Sequence, residues 1–131
     1  NPKQTVLITG DLSFFYDVNG LWNNYIPSDA RIIVINNQGG GIFRILPGEK
    51  DTPKYDTYFE TIHNRSARNV AKSFGLGYKR VQTKWGLKQA LKSFFKPSTK
   101  AIILEICTPR KINNVVLLDY FKAMVKNELN Q

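Results

Sequence analysis

The sequence has 131 residues, room for one domain with its own core, and its 42% hydrophobic and 22% charged content is that of a globular rather than a disordered chain. Nineteen Lys and Arg against ten Asp and Glu give a formal charge of +9, which suits an anionic partner without choosing among nucleic acid, membrane surface and phosphorylated ligand. A single cysteine, Cys107, and a single histidine, His63, exclude an intrachain disulfide, a thiolate zinc site and a two-histidine metal site. No apolar run is long enough to cross a membrane, and the apolar stretch of NPKQTVLITGD is too short for a signal peptide. A reducing, cytoplasmic setting is therefore expected. The first residue is not Met and the chain enters a strand-like segment at once, so a piece of a longer protein is expected too.

Residues 5–9 (TVLIT) are β-branched and apolar and read as a buried strand ending at Gly10-Asp11. In the following LSFFYDVNGLWNNY, Leu12, Phe15, Leu21, Trp22 and Tyr25 recur loosely at helical spacing, with Ser13 as candidate N-cap and Gly20 as a weak point. A turn at Pro27-Ser28-Asp29 leads to a second strand at 31–35 (RIIVI), whose unbroken apolar run fits a parallel strand covered on both faces. Over 36–63 periodicity fades, and so long a connection tends to carry function; within it 42–46 can form one helical turn. Residues 64–74 read as a helix capped by Asn64 and stopped by Gly75, with Ala67, Val70, Ala71 and Phe74 on its inner side. A short strand follows at 78–82, then a helix at 85–95 and a strong strand at 101–107 (AIILEIC). From Asn113 the tail reads as a helix with Leu118, Phe121, Val125 and Leu129 on one face. This order predicts a three-layer α/β/α fold on a mostly parallel sheet, as a single domain over 1–131.

Two strand ends carry the chemistry. The first closes in Gly10-Asp11, the second in Asn36-Asn37 followed by Gly39, Gly40 and Gly41. In open α/β sheets ligands bind beyond the carboxyl ends of strands. If the two strands are neighbours, a carboxylate, a side-chain amide and a flexible backbone meet at one edge. These are hard oxygen donors, few in number, and suit Mg²⁺ that takes its other ligands from water and phosphate. Gly10 admits a close backbone approach, and Ser13 adds a donor for phosphate oxygens. The competing reading is local: Asp11 as a helix cap or turn former, and Asn-Asn before glycine as a turn. Joint occurrence at two strand tips favours the ligand reading.

Gly10-Asp11-Leu12-Ser13 through Asn36-Asn37 resembles the thiamine diphosphate-binding motif, with Leu12 where the usual motif has a second glycine. Together with GDLSFFYDVNGLWNN and NNQGGGIFRILPG, most strongly over 6–47, the chain resembles the C-terminal domain of the 2-succinyl-5-enolpyruvyl-6-hydroxy-3-cyclohexene-1-carboxylate (SEPHCHC) synthases. The resemblance implies a thiamine diphosphate-binding fold, with Asp11, Asn37 and the Gly39 carbonyl as ligands of Mg²⁺ (or Mn²⁺). Gly10, Leu12 and Ser13 would run along the diphosphate. Ile42 would contact the cofactor and, with Phe43 and Leu46, form an apolar wall beside the substrates. The Asp17-x-Asn19 pair is implied as architecture, and Ile62 stands where relatives have proline. The implied reaction is a transfer in menaquinone biosynthesis: 2-oxoglutarate is decarboxylated and its remaining unit added to isochorismate. The activating glutamate is implied to lie on the N-terminal pyrimidine-binding domain of a partner subunit in a homo-oligomer (dimer or tetramer). This chain alone is then expected to be inactive. Another thiamine diphosphate-dependent decarboxylase or oxidase is the nearest alternative, and a basic non-catalytic module that binds nucleic acid or another anion is the alternative from a different class.

The remaining candidates read more plainly. Glu105 alternates within a strand and is expected to be structural, and Cys107 reads as a small buried hydrophobe. Gly48-Glu49-Lys50 lacks P-loop spacing, and the Asp17 segment has Phe15 and Ile26 where a calcium loop needs oxygen ligands. The lysines of 72–100 fall mostly on solvated faces and the aromatics on apolar ones, so neither nucleic acid nor membrane is an expected partner. Arg44 and Arg110 are the better candidates for contact with acidic substrates. His63 is read as a loop or helix-start residue.

Overall fold

Four short β-rich runs become four parallel strands in the computed structural model, which describes residues 4–48 and 52–128. They are β1 (Val6–Gly10), β2 (Arg31–Asn36), β3 (Gly77–Val81) and β4 (Ile102–Cys107), in the spatial order β1-β2-β4-β3. Every pairing is parallel. Parallel neighbours need crossovers, supplied by α1 (Asp11–Tyr16) with a 3₁₀ turn at Val18–Leu21, by α2 (Arg68–Ser73) and by α3 (Lys84–Phe94). The chain divides into two compact units, residues 1–36 with 64–108 and residues 37–63 with 109–131.

The sheet unit is a three-layer α/β/α sandwich, as its strand sequences require. Successive strand residues face opposite ways, so Ile32 and Val34 join Ile103 on one face while Ile33 joins Leu104 on the other. Phe14 of α1 and Ala67 and Ala71 at α2 cover the first face; Ala90 and Phe94 of α3 cover the second. Val34, Phe94, Ile103 and Leu104 are fully buried. Each such side chain contributes about 1.5–3 kcal/mol of transfer free energy.

The elements depart from the sequence expectations in four places. β1 is a strand but not a buried one: it is the sheet edge, α3 packs over the other strands, and Ile8 is 66% exposed. The first helix is one short segment, and Gly10, not Ser13, occupies its cap position with extended backbone. The second helix begins at Arg68 rather than 64 and has no side-chain cap, so Asn64 does not cap it; Ser66 instead turns its hydroxyl to a buried carboxylate. Its expected stop at Gly75 is borne out. Gly75 has φ +68°, and Leu76 N–H donates to Ala71 O (2.8 Å) and Gly75 N–H to Lys72 O (3.3 Å), the paired bonds of a left-handed helix terminator. Cys107 is only half-buried and its Sγ accepts from Arg80 Nε.

Arg31 was legible only as a strand residue. It is fully buried, and its guanidinium donates to Phe94 O and Lys96 O (both 2.6 Å), Ala30 O (2.9 Å) and Ser28 O (3.0 Å). The carbonyls at the end of α3 lack intrahelical donors and carry partial negative charge, so a cation there satisfies both needs.

The second unit holds a 3₁₀ turn at Gly41–Arg44, a π-helical turn at Tyr55–Phe59 and α4 (Asn113–Glu128). Phe59 stacks on Tyr55 (6.1 Å) and meets Phe43 edge-on (5.9 Å). α4 forms where expected, but Leu118, Phe121 and Val125 are exposed, and Leu129 lies outside the described residues. Among the described residues no helix is long and apolar enough to cross a membrane.

Candidate functional site

β1 and β2 are hydrogen-bonded neighbours in parallel register, with Gly10 opposite Ile35. Asp11 and Asn36 are therefore the next residues at the same end of adjacent strands, at the carboxyl edge where such sheets bind ligands. Asp11 opens α1, is 2% exposed, and its Oδ1 accepts from Leu12 N–H (2.9 Å). A Cβ built on Gly10 meets nothing within 4 Å, so the space beside this strand tip is open. Leu12 is half-buried and Ser13 exposed on the first turn.

Asn36 belongs to the sheet core. Its Nδ2 donates to Glu105 Oε1 (2.6 Å) and to Arg65 O (2.9 Å), and the residue is 4% exposed. Glu105 also accepts from Ser66 Oγ (2.7 Å), from Ala67 N–H (3.2 Å) and from the Tyr78 hydroxyl. Burial opposes the charge, but these hydrogen bonds outweigh it and hold the Glu105 carboxyl below its ordinary pKa. Burial and the bond to Glu105 push Tyr78 up in turn. The expectation that Glu105 is structural rests now on a defined network, and the first asparagine of the pair is part of it.

The second asparagine, Asn37, begins the other unit. There Gln38 (φ +65°) and Gly39 (φ +151°) turn the chain sharply. Gly40 N–H donates to Glu60 O (2.6 Å), and Gly41 N–H donates to Gly39 O (2.9 Å) in a tight turn about Gly40. The glycine run has specific causes. A Cβ at Gly39 would lie 2.7 Å from Glu60 O, and one at Gly41 would lie 2.6 Å from Asn37 Nδ2. A carbonyl that accepts an N–H can also ligate a cation, because the oxygen carries two lone pairs.

Phe43 and Leu46 line a cavity of about 820 Å³ with Pro47, Lys54, Tyr55 and Phe59. Ile42 is not in that lining and is 55% exposed. Arg44 and Arg110 share one partner: both pair with Glu60, which is 1% exposed, and Arg44 also donates to Arg110 O. Burial and the neighbouring Arg110 lower the Arg44 pKa. His63 N–H donates to Gln38 O (3.3 Å). From the sequence Glu60 is a residue of the long loop that does not match the activating glutamate and has no assigned role. Its one signal was a carboxylate in the long glycine-containing loop that also holds Arg44, with Arg110 unplaced beyond the last strand.

By type, the candidate donors are one buried carboxylate in the first unit and an amide and backbone carbonyls in the second, and among the described residues no group of three or more His, Cys, Asp or Glu could hold a metal ion. Such a set fits a hard divalent cation whose charge is largely balanced by a phosphorylated ligand. The family described as thiamine pyrophosphate enzyme, C-terminal TPP binding domain, matches residues 1–106, and the chain belongs to it. Its cofactor class is therefore thiamine diphosphate. Within that class the chain is 52% identical over 124 residues (95% of the chain) to 2-succinyl-5-enolpyruvyl-6-hydroxy-3-cyclohexene-1-carboxylate synthase of Christiangramia forsetii. It is 52% identical over 122 residues (93% of the chain) to the protein of that name in Flavobacterium psychrophilum, and 35% over 126 residues (95% of the chain) to that of Bacteroides thetaiotaomicron. The matched segment is 22%, 22% and 23% of these relatives, so the chain spans about a fifth of their length.

Proposed function

We propose that the chain is the thiamine diphosphate- and Mg²⁺-binding domain of a SEPHCHC synthase, a transferase of menaquinone biosynthesis acting in the cytoplasm. The observation that carries this reading is the parallel register of β1 and β2, which sets Asp11 and Asn36 at the same end of neighbouring strands, with Asn37 next in the chain. Asp11, Asn37 and the Gly39 carbonyl hold Mg²⁺ or Mn²⁺. Assignment to the second asparagine is supported by the first being engaged with Glu105 and Arg65. Gly10, Leu12 and Ser13 run along the diphosphate, and the open space at Gly10 suits a close approach.

The cofactor, when bound, supplies decarboxylation of a 2-oxo acid and formation of a carbon–carbon bond; the protein's part is to bind, orient and exclude water. Asp11 contributes a single charge, so metal and diphosphate are held without excess anion repulsion. Ile42, Phe43 and Leu46 provide an apolar wall that excludes water from the reacting region, and the cavity lined by Phe43 and Leu46 supports that role for two of the three. The substrates of the whole enzyme are 2-oxoglutarate and isochorismate. The activating glutamate comes from the N-terminal pyrimidine-binding domain of a partner subunit in a homo-oligomer, and the 131-residue chain alone is inactive.

A thermal-shift titration tests the reading. Mg²⁺ with thiamine diphosphate is expected to raise the melting temperature, and Asp11→Ala to abolish the shift without abolishing the fold. A shift that survives Asp11→Ala contradicts the metal assignment.

A further inference from the structure

Glu60 sits where three constraints on the glycine loop converge. Its backbone carbonyl accepts Gly40 N–H at 2.6 Å, and both that carbonyl and its own Cγ crowd the position a Cβ at Gly39 would take, at 2.7 and 3.3 Å. Its N–H closes the π-helical turn by donating to Tyr55 O five residues back (2.9 Å), a rare local geometry that is frequent at functional sites. Thr61, the next residue, has φ +51°, and Gln38, across the loop's other end, has φ +65°. Backbone of that kind in non-glycine residues costs roughly 1–3 kcal/mol each and persists only where the surroundings over-determine it.

The side chain supplies the over-determination. The Glu60 carboxylate is 1% exposed and is gripped by two guanidinium groups from different segments. Arg44 reaches it from the 3₁₀ turn after the glycines, with Nε 3.1 Å from Oε2, and Arg110 reaches it from beyond β4, with Nη1 3.1 Å from Oε1. One buried carboxylate thus ties the glycine loop, the π-helical turn and the chain entering α4 together. Planar guanidinium forks fix orientation as well as distance.

We propose that Glu60, clamped by Arg44 and Arg110, is a positioning residue that sets the Gly39–Gly40 backbone for metal binding. This rests on the reading of the Gly39 carbonyl as a metal ligand. Arg44 and Arg110 then serve the loop through Glu60 instead of contacting acidic substrates, as the sequence had suggested. Groups that orient metal ligands commonly change metal affinity by about tenfold to a hundredfold when removed.

The test measures Mg²⁺-dependent binding of thiamine diphosphate to the full-length protein carrying this chain, alongside melting temperature without ligands. Glu60→Gln is expected to raise the half-saturating Mg²⁺ concentration at least about tenfold. Arg110→Gln, which removes one arm of the clamp, is expected to move it in the same direction by less and decides the matter if Glu60→Gln does not fold. A purely structural role lowers the melting temperature and leaves Mg²⁺ affinity of the folded variant within about twofold of the wild type; that result overturns the proposal alone. Absence of Mg²⁺-dependent cofactor binding by the wild type overturns the functional reading and this proposal together.

Discussion

Replacing Glu105 by Gln should weaken the sheet unit in a pH-dependent way. The carboxylate accepts four donors in a fully buried position: Asn36 Nδ2 and Ala67 N–H on one oxygen, Ser66 Oγ and the Tyr78 hydroxyl on the other. Gln keeps the shape and one acceptor, and the two hydroxyls can rotate to accept from its amide. What is lost is the charge assistance, about 1 kcal/mol per bond, offset by easier burial of a neutral group; the net loss at pH 7 is about 1–3 kcal/mol. Glu105→Ala leaves the donors unmatched beside a cavity and should cost about 3–5 kcal/mol. The Glu105 pKa is lowered in the folded protein, so its contribution is complete above the unfolded carboxylate pKa of about 4.3 and fades as pH falls through the folded value. Urea unfolding of wild type and Glu105→Gln at pH 7 and near pH 3 reads this directly. A difference that is present at pH 7 and shrinks in acid supports the network; equal stability at pH 7, or a gap that does not change with pH, refutes it.

Two further substitutions probe the backbone. Arg31→Lys removes the planar fork that serves four carbonyls and should cost about 3 kcal/mol, read as a lowered urea midpoint with an unchanged slope. Gly39→Ala, with φ +151° and Glu60 O at 2.7 Å, should destabilise by roughly 1–3 kcal/mol and impair Mg²⁺-dependent cofactor binding, whereas Gly75→Ala, with φ +68° and open space around it, should cost about 1 kcal/mol and leave binding intact.

The α/β sandwich was legible because the strands are short apolar runs and the helices carry one apolar side. Ile32 to Val34 and Ile103 to Leu104 announce a sheet buried on both faces, and that is where the core lies. β1 has the same character, yet its place at the edge depends on strand order, which a local pattern does not encode. The start of α2 is not legible locally: Ser66 serves Glu105, a partner 39 residues away, and the chain turns helical only after it. The motif residues Gly10, Asp11 and the asparagine pair were visible as types at strand tips. That Asn36 is engaged in the sheet core was not, since its partner Glu105 is 69 residues away in sequence. The pairing of Glu60 was not legible for the same reason: Arg44 and Arg110 are 16 and 50 residues from it in sequence.

The most direct test of the metal assignment is a crystal structure of the protein with Mn²⁺ and thiamine diphosphate, using the anomalous signal to locate the metal. One octahedral ion is expected, with the Asp11 carboxylate, the Asn37 amide oxygen and the Gly39 carbonyl among its ligands, at about 2.1–2.2 Å. An ion ligated without Asp11 or Asn37, or a cofactor bound away from the tips of β1 and β2, would contradict the assignment.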